Sequence, residues 1–365
     1  MRAREDLTLT DRKRLASNWG IAAICVVVVW VMAGHFMPGG LPFGISLQGL
    51  VYGALNAMTA MGLILIYRST RIINFAQAEI GGLCASFSVI MVSGSHLTYF
   101  EAVPIGLVVG LATGALVDLI FMRRLANAPR LIVTVATIGI AQLLGAIELA
   151  LPSLYGNGGL SSVSNFHFPS AVSFHLGPVL FKSDEIVVMV VVPIMLVALW
   201  WFLGRTDVGI AIRGSADAKD RATLLGIPVK KLSMISWIVA AGLSAVGSIL
   251  TVPIQGANVG SVVGPEALLL PLAAAVIGGM ENLSVAFAAS LGLGVFEEAI
   301  RWSYPQSQTA AVDVGAFVVI LVALLVRRRR RQRADEIELG DVYNVREIRP
   351  IPVLAKELFE IKLLR

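Results

Sequence analysis

The sequence predicts an all-α fold, a polytopic transmembrane helical bundle of about 8–10 spans with N and C termini cytoplasmic. Apolar residues make up 56% of the 365 and charged residues only 15%, against roughly 25% charged in soluble domains. Mean hydropathy is +0.80. The charges gather in tails and loops, leaving continuous apolar runs close to the ~20 residues that cross a hydrocarbon core. A transmembrane β-barrel would instead alternate apolar and polar over about ten residues.

Spans are predicted at 20–38, 45–67, 76–94, 102–122, 131–151, 185–203, 232–252, 267–281, 284–300 and 309–326. The first apolar run, Ile21 to Met32, follows a basic tail (1–19) as a signal peptide would. No small-residue cleavage pattern clearly ends it, so it is read as a retained span. Lys and Arg bias then sets orientation. One side collects Arg2, Arg4, Arg12, Lys13, Arg14, Arg68, Arg71, Arg123, Arg124 and Arg130. Arg205, Arg213, Lys219, Arg221, Lys230 and Lys231 of the loop 204–231 join them, while the other side has only Lys182 and Arg301. The rich side is cytoplasmic and the number of spans is even. Met280 to Ser284 carries no positive charge, so 267–281 and 284–300 are two spans or a re-entrant pair. Residues 20–326 thus form the membrane domain, with an external loop at 152–184 and a basic cytoplasmic tail at 327–365.

Cys25 and Cys84 lie inside apolar runs and read as packing residues, so neither a disulfide framework nor a metal site is expected. His35, His96, His167 and His175 fall in or near external loops without zinc-ligand spacing. Arg327 to Arg331 with Arg333 directly follow the last span. They read as an anchor facing anionic lipid rather than a nucleic-acid patch. The tail 335–365 is a short amphipathic helix or a disordered segment.

Three polar interruptions carry candidate function. In Ser69 to Ala85, Asn74, Gln77 and Gly81 are spaced to share one helical face, with Glu79 pointing elsewhere. Polar groups at this depth are costly unless they face protein or water, so they line the cytoplasmic end of a pathway or cap and pack a helix. In the loop 204–231, Ser215 is placed to cap a helix with Asp217 in its first turn, ended by Gly226 and Pro228. In 256–284, Asn258, Glu266, Pro271, Gly278, Gly279 and Asn282 interrupt apolar runs. They form a broken helix lining a cavity, with Glu266 alternatively an external cap. Thr134, Thr137 and Gln142 mark the fifth span. Glu297 and Arg301, four apart, are spaced to pair, as is Asp118 with Arg123 or Arg124. The sequence contains no G-x-x-x-x-G-K-[ST], H-E-x-x-H or G-x-S-x-G pattern, so no catalytic residue is predicted.

The run GLVYGALNAMTAMGLILIYRSTRIINFAQAEIGG (49–82) resembles the signature of branched-chain amino-acid ABC transporter permeases, in the order Asn74, Phe75, Ala76, Gln77, Ala78, Glu79. The loop element Arg213, Asp217, Ala222, Leu224, Leu225, Gly226, Ile227 is similar to that family's variant of the helix that docks on the ATPase. The literal Glu-Ala-Ala is absent, with Ala216-Asp217-Ala218 nearby. The resemblance covers roughly 45–330. It implies a permease subunit of an importer for branched-chain or other hydrophobic amino acids, or a related solute such as an amide or urea, in the cytoplasmic (inner) membrane. Implied partners are two ABC ATPase subunits, a second homologous permease, an extracytoplasmic substrate-binding protein and membrane lipid, with no nucleic acid. The chain would bind no cofactor itself, ATP being used by the ATPases. Implied coupling residues are Arg213, Ser215, Ala216, Asp217, Ala222, Leu224, Leu225, Gly226 and Ile227. Implied pathway-lining residues are Asn74, Gln77, Glu79, Gly81, Thr134, Thr137, Asn258, Gly278, Gly279 and Asn282. The alternatives are a stand-alone secondary transporter or channel, with Glu79 or Glu297 coupling an ion, and an intramembrane enzyme, for which no polar cluster is evident.

Overall fold

The structure is a computed structural model describing residues 40–125, 128–154, 166–170, 172–217, 228–255 and 266–303, with 314, 315, 317, 318 and 321. Side chains at 154, 215–217 and 266 are outside the description. The chain divides into two compact units, Met1–Ile320 and Leu321–Arg365. The first contains the helical bundle.

Its helices are α1 (Phe43–Thr70), α2 (Gln77–Ser93), α3 (Tyr99–Val117), α4 (Arg130–Leu154), α5 (Ser183–Arg205), α6 (Asp207–Asp217), α7 (Val229–Gln255), α8 (Glu266–Ile277) and α9 (Leu283–Ser303). A π-helical turn, Asp118–Met122, extends α3. Among the described residues, six helices are long and apolar enough to cross a membrane: α1, α3 with its extension, α4, α5, α7 and α9. The predicted spans 76–94 and 267–281 appear as the shorter helices α2, of 17 residues, and α8, of 12. Span 20–38 and most of 309–326 lie outside the described residues.

Local sequence sets several boundaries. Arg71 ends α1 in the left-handed conformation (φ 59°), its N–H reaching Tyr67 O at 2.7 Å. Glu101 accepts the Thr98 N–H at 3.0 Å and closes the start of α3. Glu185 does the same for Lys182 N at 2.8 Å before α5. The segment before α5 holds a small exception to the all-helical prediction. Strands β1 (Ser173–Leu176) and β2 (Val179–Lys182) pair antiparallel. The two residues between them are Gly177, with φ 63°, and Pro178, and a glycine at positive φ is what so short a turn requires.

α7 is the hub, packing on α1, α2, α3, α5 and α6, while α1 also packs along α9. The most apolar stretches of α1 and α7 are 78% and 72% buried, against 22% for α5, so α1 and α7 form the core and α5 its periphery. Small residues allow this approach, as they do where no hydrophobic force separates helix from lipid. A Cβ on Gly53 would come within 2.6 Å of Ser290 O on α9, and one on Gly114 within 2.8 Å of Trp237 O on α7.

The connections gather at two opposite ends. At one, Arg71 pairs with Glu281 (2.7 Å), Ser233 donates to Asp118 (2.9 Å), and α6 packs on α1 and α7. At the other, the hairpin abuts the start of α1 at Gly44. There Tyr99 packs on Phe166 (5.2 Å) and His167 meets Asp184 (2.9 Å). The first end holds Arg68, Arg71, Arg123, Arg124, Arg205, Lys230 and Lys231, and the second Lys182 and Arg301. This is the charge asymmetry the sequence predicts.

Candidate functional site

The chain between α1 and α2 turns inward after Arg71. A Cβ on Gly62 would fall on the Gln77 amide, and Gly62 lies roughly 12 Å along the helix from Thr70 at 1.5 Å per residue. α2 therefore begins inside the bundle. Asn74 stands just before it in a turn. Its Oδ1 accepts from Ala76 N (3.0 Å) and its Nδ2 donates to Gln77 Oε1 (3.1 Å). Gln77 Nε2 donates to Ala240 O of α7 at 2.9 Å, and Ser244 Oγ donates to Gln77 O at 2.6 Å. Phe75 N donates to Thr137 Oγ1 of α4 at 3.1 Å, and the Thr137 hydroxyl donates to Thr134 O at 2.7 Å. One loop thereby ties α2 to both α4 and α7.

This geometry corrects the expected shared helical face, because Asn74 lies before the helix. The tight turn won over helix continuation because the Asn74 side chain satisfies the backbone of the next residues. Asn74, Gln77 and Thr137 are fully buried, and Glu79 is nearly so. Gly81 makes a close contact, with Ser244 O 2.6 Å from where a Cβ would stand. The side chains of this segment cap and pack the start of α2. Thr134 is not brought to the cluster. It is half-buried on α4, its hydroxyl donating to Arg130 O (2.9 Å).

Gly278, Gly279 and Asn282 form a tight connection between α8 and α9 at the Lys/Arg-rich end. Gly279 and Met280 take positive φ (71° and 59°), and Asn282 Oδ1 accepts from Val285 N at 3.2 Å to start α9. Glu281 at this turn bonds Arg71, raising that guanidinium's pKa above its ordinary value. Asn258 lies outside the described residues.

In the loop after α5 a helix, α6, precedes the one expected from a Ser215 cap, whose residues 218–227 lie outside the described residues. Thr206 Oγ1 accepts from Gly209 N (3.0 Å), and Asp207 sits in the first turn of α6. Ser215, Ala216 and Asp217 are in its last turn. The residues that follow Thr206 place Val208 and Ile212 toward the bundle, Ile212 being fully buried. Arg213 is exposed. Ala222, Leu224, Leu225, Gly226 and Ile227 lie outside the described residues.

Two expected ion pairs form: Arg301–Glu297 at 2.7 Å, and Arg123–Asp118 at 3.4 Å. One polar contact was missed. Glu148, fully buried on α4, accepts from Ser86 Oγ of α2 at 2.5 Å, and its Oε2 is 2.8 Å from a Cβ placed on Gly82. The available signal was a lone carboxylate within an apolar span. Its partner is remote in sequence. Thr137 and Glu148 together fasten α4 to α2, the helix against which it chiefly packs.

The family model described as "Branched-chain amino acid transport system / permease component" matches residues 45–326. The chain is 27% identical over 295 residues to the high-affinity branched-chain amino acid transport system permease protein LivH of Salmonella typhimurium, covering 76% of this chain and 91% of the relative. It is 27% identical over 284 residues to the probable branched-chain amino acid transport permease protein LivH of Methanocaldococcus jannaschii (76% and 86% covered). It is 25% identical over 296 residues to the permease protein BraD of Pseudomonas aeruginosa, from a system of the same description (77% and 92% covered).

Proposed function

The chain belongs to the branched-chain amino acid transport permease family, and on that premise we propose that it is the membrane subunit through which an ABC importer passes branched-chain or other hydrophobic amino acids. The observation that carries this reading is the family match across 282 consecutive positions (326 − 45 + 1), nearly the whole helical bundle. As a multi-pass membrane protein of this family it supplies the pathway. Two ATPase subunits supply the energy, a second permease completes the channel, and an extracytoplasmic binding protein delivers the solute. ATP is held by the ATPases and not by this chain.

The Lys/Arg-rich end is assigned to the cytoplasm, with both termini on that side. The helix α6 and the following residues to 227 meet the ATPase. Support comes from the seating of α6 against α5, α1 and α7, so that a push on its exposed side reaches the core helices. Exposed Arg213 and the last turn, Ser215 to Asp217, are assigned to the contact, together with Ala222 and Leu224 to Ile227. Glu79, Gln77, Asn74 and Gly81 act at the hinge of α2 rather than as a solute-lined wall. Gly278, Gly279 and Asn282 shape the cytoplasmic turn beside Arg71.

The test is affinity purification of the tagged chain in mild detergent, with mass spectrometry of what accompanies it. An ATPase and a second permease are expected, and both are lost when Asp217 and Gly226 are substituted. A homo-oligomer without ATPase would overturn the importer reading and leave a secondary transporter.

A further inference from the structure

We propose that the basic end of α3, together with the start of α7, binds the headgroup of an anionic phospholipid whose acyl chain lies along an apolar stripe of α3. This site is independent of what solute the chain carries. Its geometry begins at the π-helical turn Asp118–Met122. In a regular α-helix residues five apart stand about 140° from each other, at 100° per residue. The π-turn closes with an i→i+5 bond, Arg123 N to Asp118 O at 3.0 Å, and its extra residue brings Arg123 round onto Asp118. Arg123 Nε donates to Asp118 Oδ2 at 3.4 Å, and Arg123 Nη2 donates to Met234 Sδ of α7 at 3.3 Å. Asp118 Oδ1 accepts from Ser233 Oγ of α7 at 2.9 Å. The end of α3 and the start of α7 are thereby fixed together.

This packing collects cations. Lys230 precedes Ser233 and Met234 by three and four residues, and Lys231 precedes Met234 by three, the spacings that share a helix face. Arg123, Arg124, Lys230 and Lys231 are all exposed. Asp118 is buried, with its oxygens engaged by Arg123 and Ser233. Among the described residues, Arg124, Lys230 and Lys231 form no ion pair. Four cations against one carboxylate leave a local charge of +3 (4 − 1). Like charges held together by packing repel, and an anion seated among them relieves the repulsion.

An apolar stripe runs into the same spot. Val108, Leu116, Leu119 and Ile120 are exposed on α3 and its extension. Positions 108, 112, 116 and 119, with Ala112 the second, follow one another at three or four residues and so lie on one side. Leu119 and Ile120 each stand four residues before an arginine. Val108 to Leu119 is a step of eleven residues (119 − 108), about 16 Å at 1.5 Å per residue. That is half of the ~30 Å hydrocarbon core, the depth of one leaflet. Water alone would serve the cations, and a neutral lipid would serve the stripe. An anionic phospholipid meets both where they join, its phosphate taking charge-assisted bonds from arginine and lysine.

The experiment uses the full chain in neutral-detergent micelles, titrated with dioleoyl phosphatidylglycerol or dioleoyl phosphatidylcholine, with bound lipid counted by native mass spectrometry. Arg124→Gln, Lys230→Gln and Lys231→Gln are combined, and Arg123 is left to hold Asp118. A charge-keeping triple carries Arg124→Lys, Lys230→Arg and Lys231→Arg. Phosphatidylglycerol is expected to be retained in preference to phosphatidylcholine. Each cation near a membrane surface contributes about fivefold, so the neutral triple should weaken phosphatidylglycerol roughly a hundredfold. The charge-keeping triple should bind as wild type does, and Arg205→Gln, on α5, should change nothing. The basic tail Arg327 to Arg331 is the same in every variant, so the difference reads the site alone. Raising salt should weaken retention by the wild-type chain, a readout that needs no variant to fold. Equal retention of the two lipids, indifference to salt, or wild-type binding by the neutral triple would overturn the proposal. Displacement of the lipid by an equal concentration of sn-glycerol 3-phosphate would overturn the part played by the stripe. A neutral triple that keeps phosphatidylglycerol but loses a co-purifying ATPase would overturn the lipid site and give the cations to a protein.

Discussion

Two polar segments interrupt this apolar chain, and the fold houses them in opposite ways. Residues 71–82 turn into the bundle. There Asn74 caps the next turn, Gln77 reaches the α7 backbone, and Gly81 lets α2 lie against Ser244. Residues 206–217 stay at the end of the bundle as α6, with Ile212 buried and Arg213 exposed. The first segment holds helices together and the second presents a surface. Inside the membrane a polar group must find a protein partner. At its edge water serves instead.

That contrast is open to experiment, and the largest effect is expected at the close contact. Gly81→Leu would drive a side chain into the Ser244 backbone, and overpacking costs about 1–3 kcal/mol or more. A marked drop in folded yield and in Tm by detergent thermal unfolding is expected, and a wild-type Tm would show that the α2–α7 contact is loose. Next in size, Gln77→Ala strands the Asn74 amide and removes the tie to Ala240 O. A loss of about 1–3 kcal/mol is expected from buried partners left unmet, read as a fall in the same Tm, with faster hydrogen exchange at the start of α2. Asp217→Asn with Gly226→Ala should act the other way round. Transport and ATPase recovery fall, while stability stays within about ±0.5 kcal/mol, as for surface changes. A large Tm loss in that double variant would end the distinction between the segments. Smallest is Arg71→Ala. The Glu281 side chain is 58% exposed, so about 0–1 kcal/mol is expected, diminishing as salt is raised.

A second contrast lies between α1 and α4. Both read as ordinary apolar spans. α1 is surrounded, whereas α4 shows Ile132, Val135, Ile138 and Leu143 on its exposed face and is fastened through Thr137 and Glu148. Apolar content does not distinguish them, because lipid and protein interior are equally apolar and both accept the same side chains.

Legibility differed by residue. The pairs Glu297–Arg301 and Asp118–Arg123 were readable because each closes within one or two turns of helix. The helix α6 was not foreseen, because what favours a helix after Thr206 is burial of Ile212 against helices from distant stretches of chain. Glu148 escaped because Ser86 is 62 positions away. The β-hairpin was legible in hindsight as Phe-His-Leu-Gly-Pro-Val-Leu-Phe, a glycine–proline turn between short apolar arms.

The sequence by itself determined what depends on composition and near neighbours. These are the membrane class, the placing of the long helices, the collection of cationic loops at one end, and the polar order from Asn74 to Glu79 that marks the family. Tertiary structure decided which helices are core and which periphery, where α2 begins, and what each buried polar group bonds. The reason is physical. A transfer energy and a helix cap are local quantities that a residue carries with it, whereas the partner of a buried amide or carboxylate is set by helices packed from distant stretches of chain.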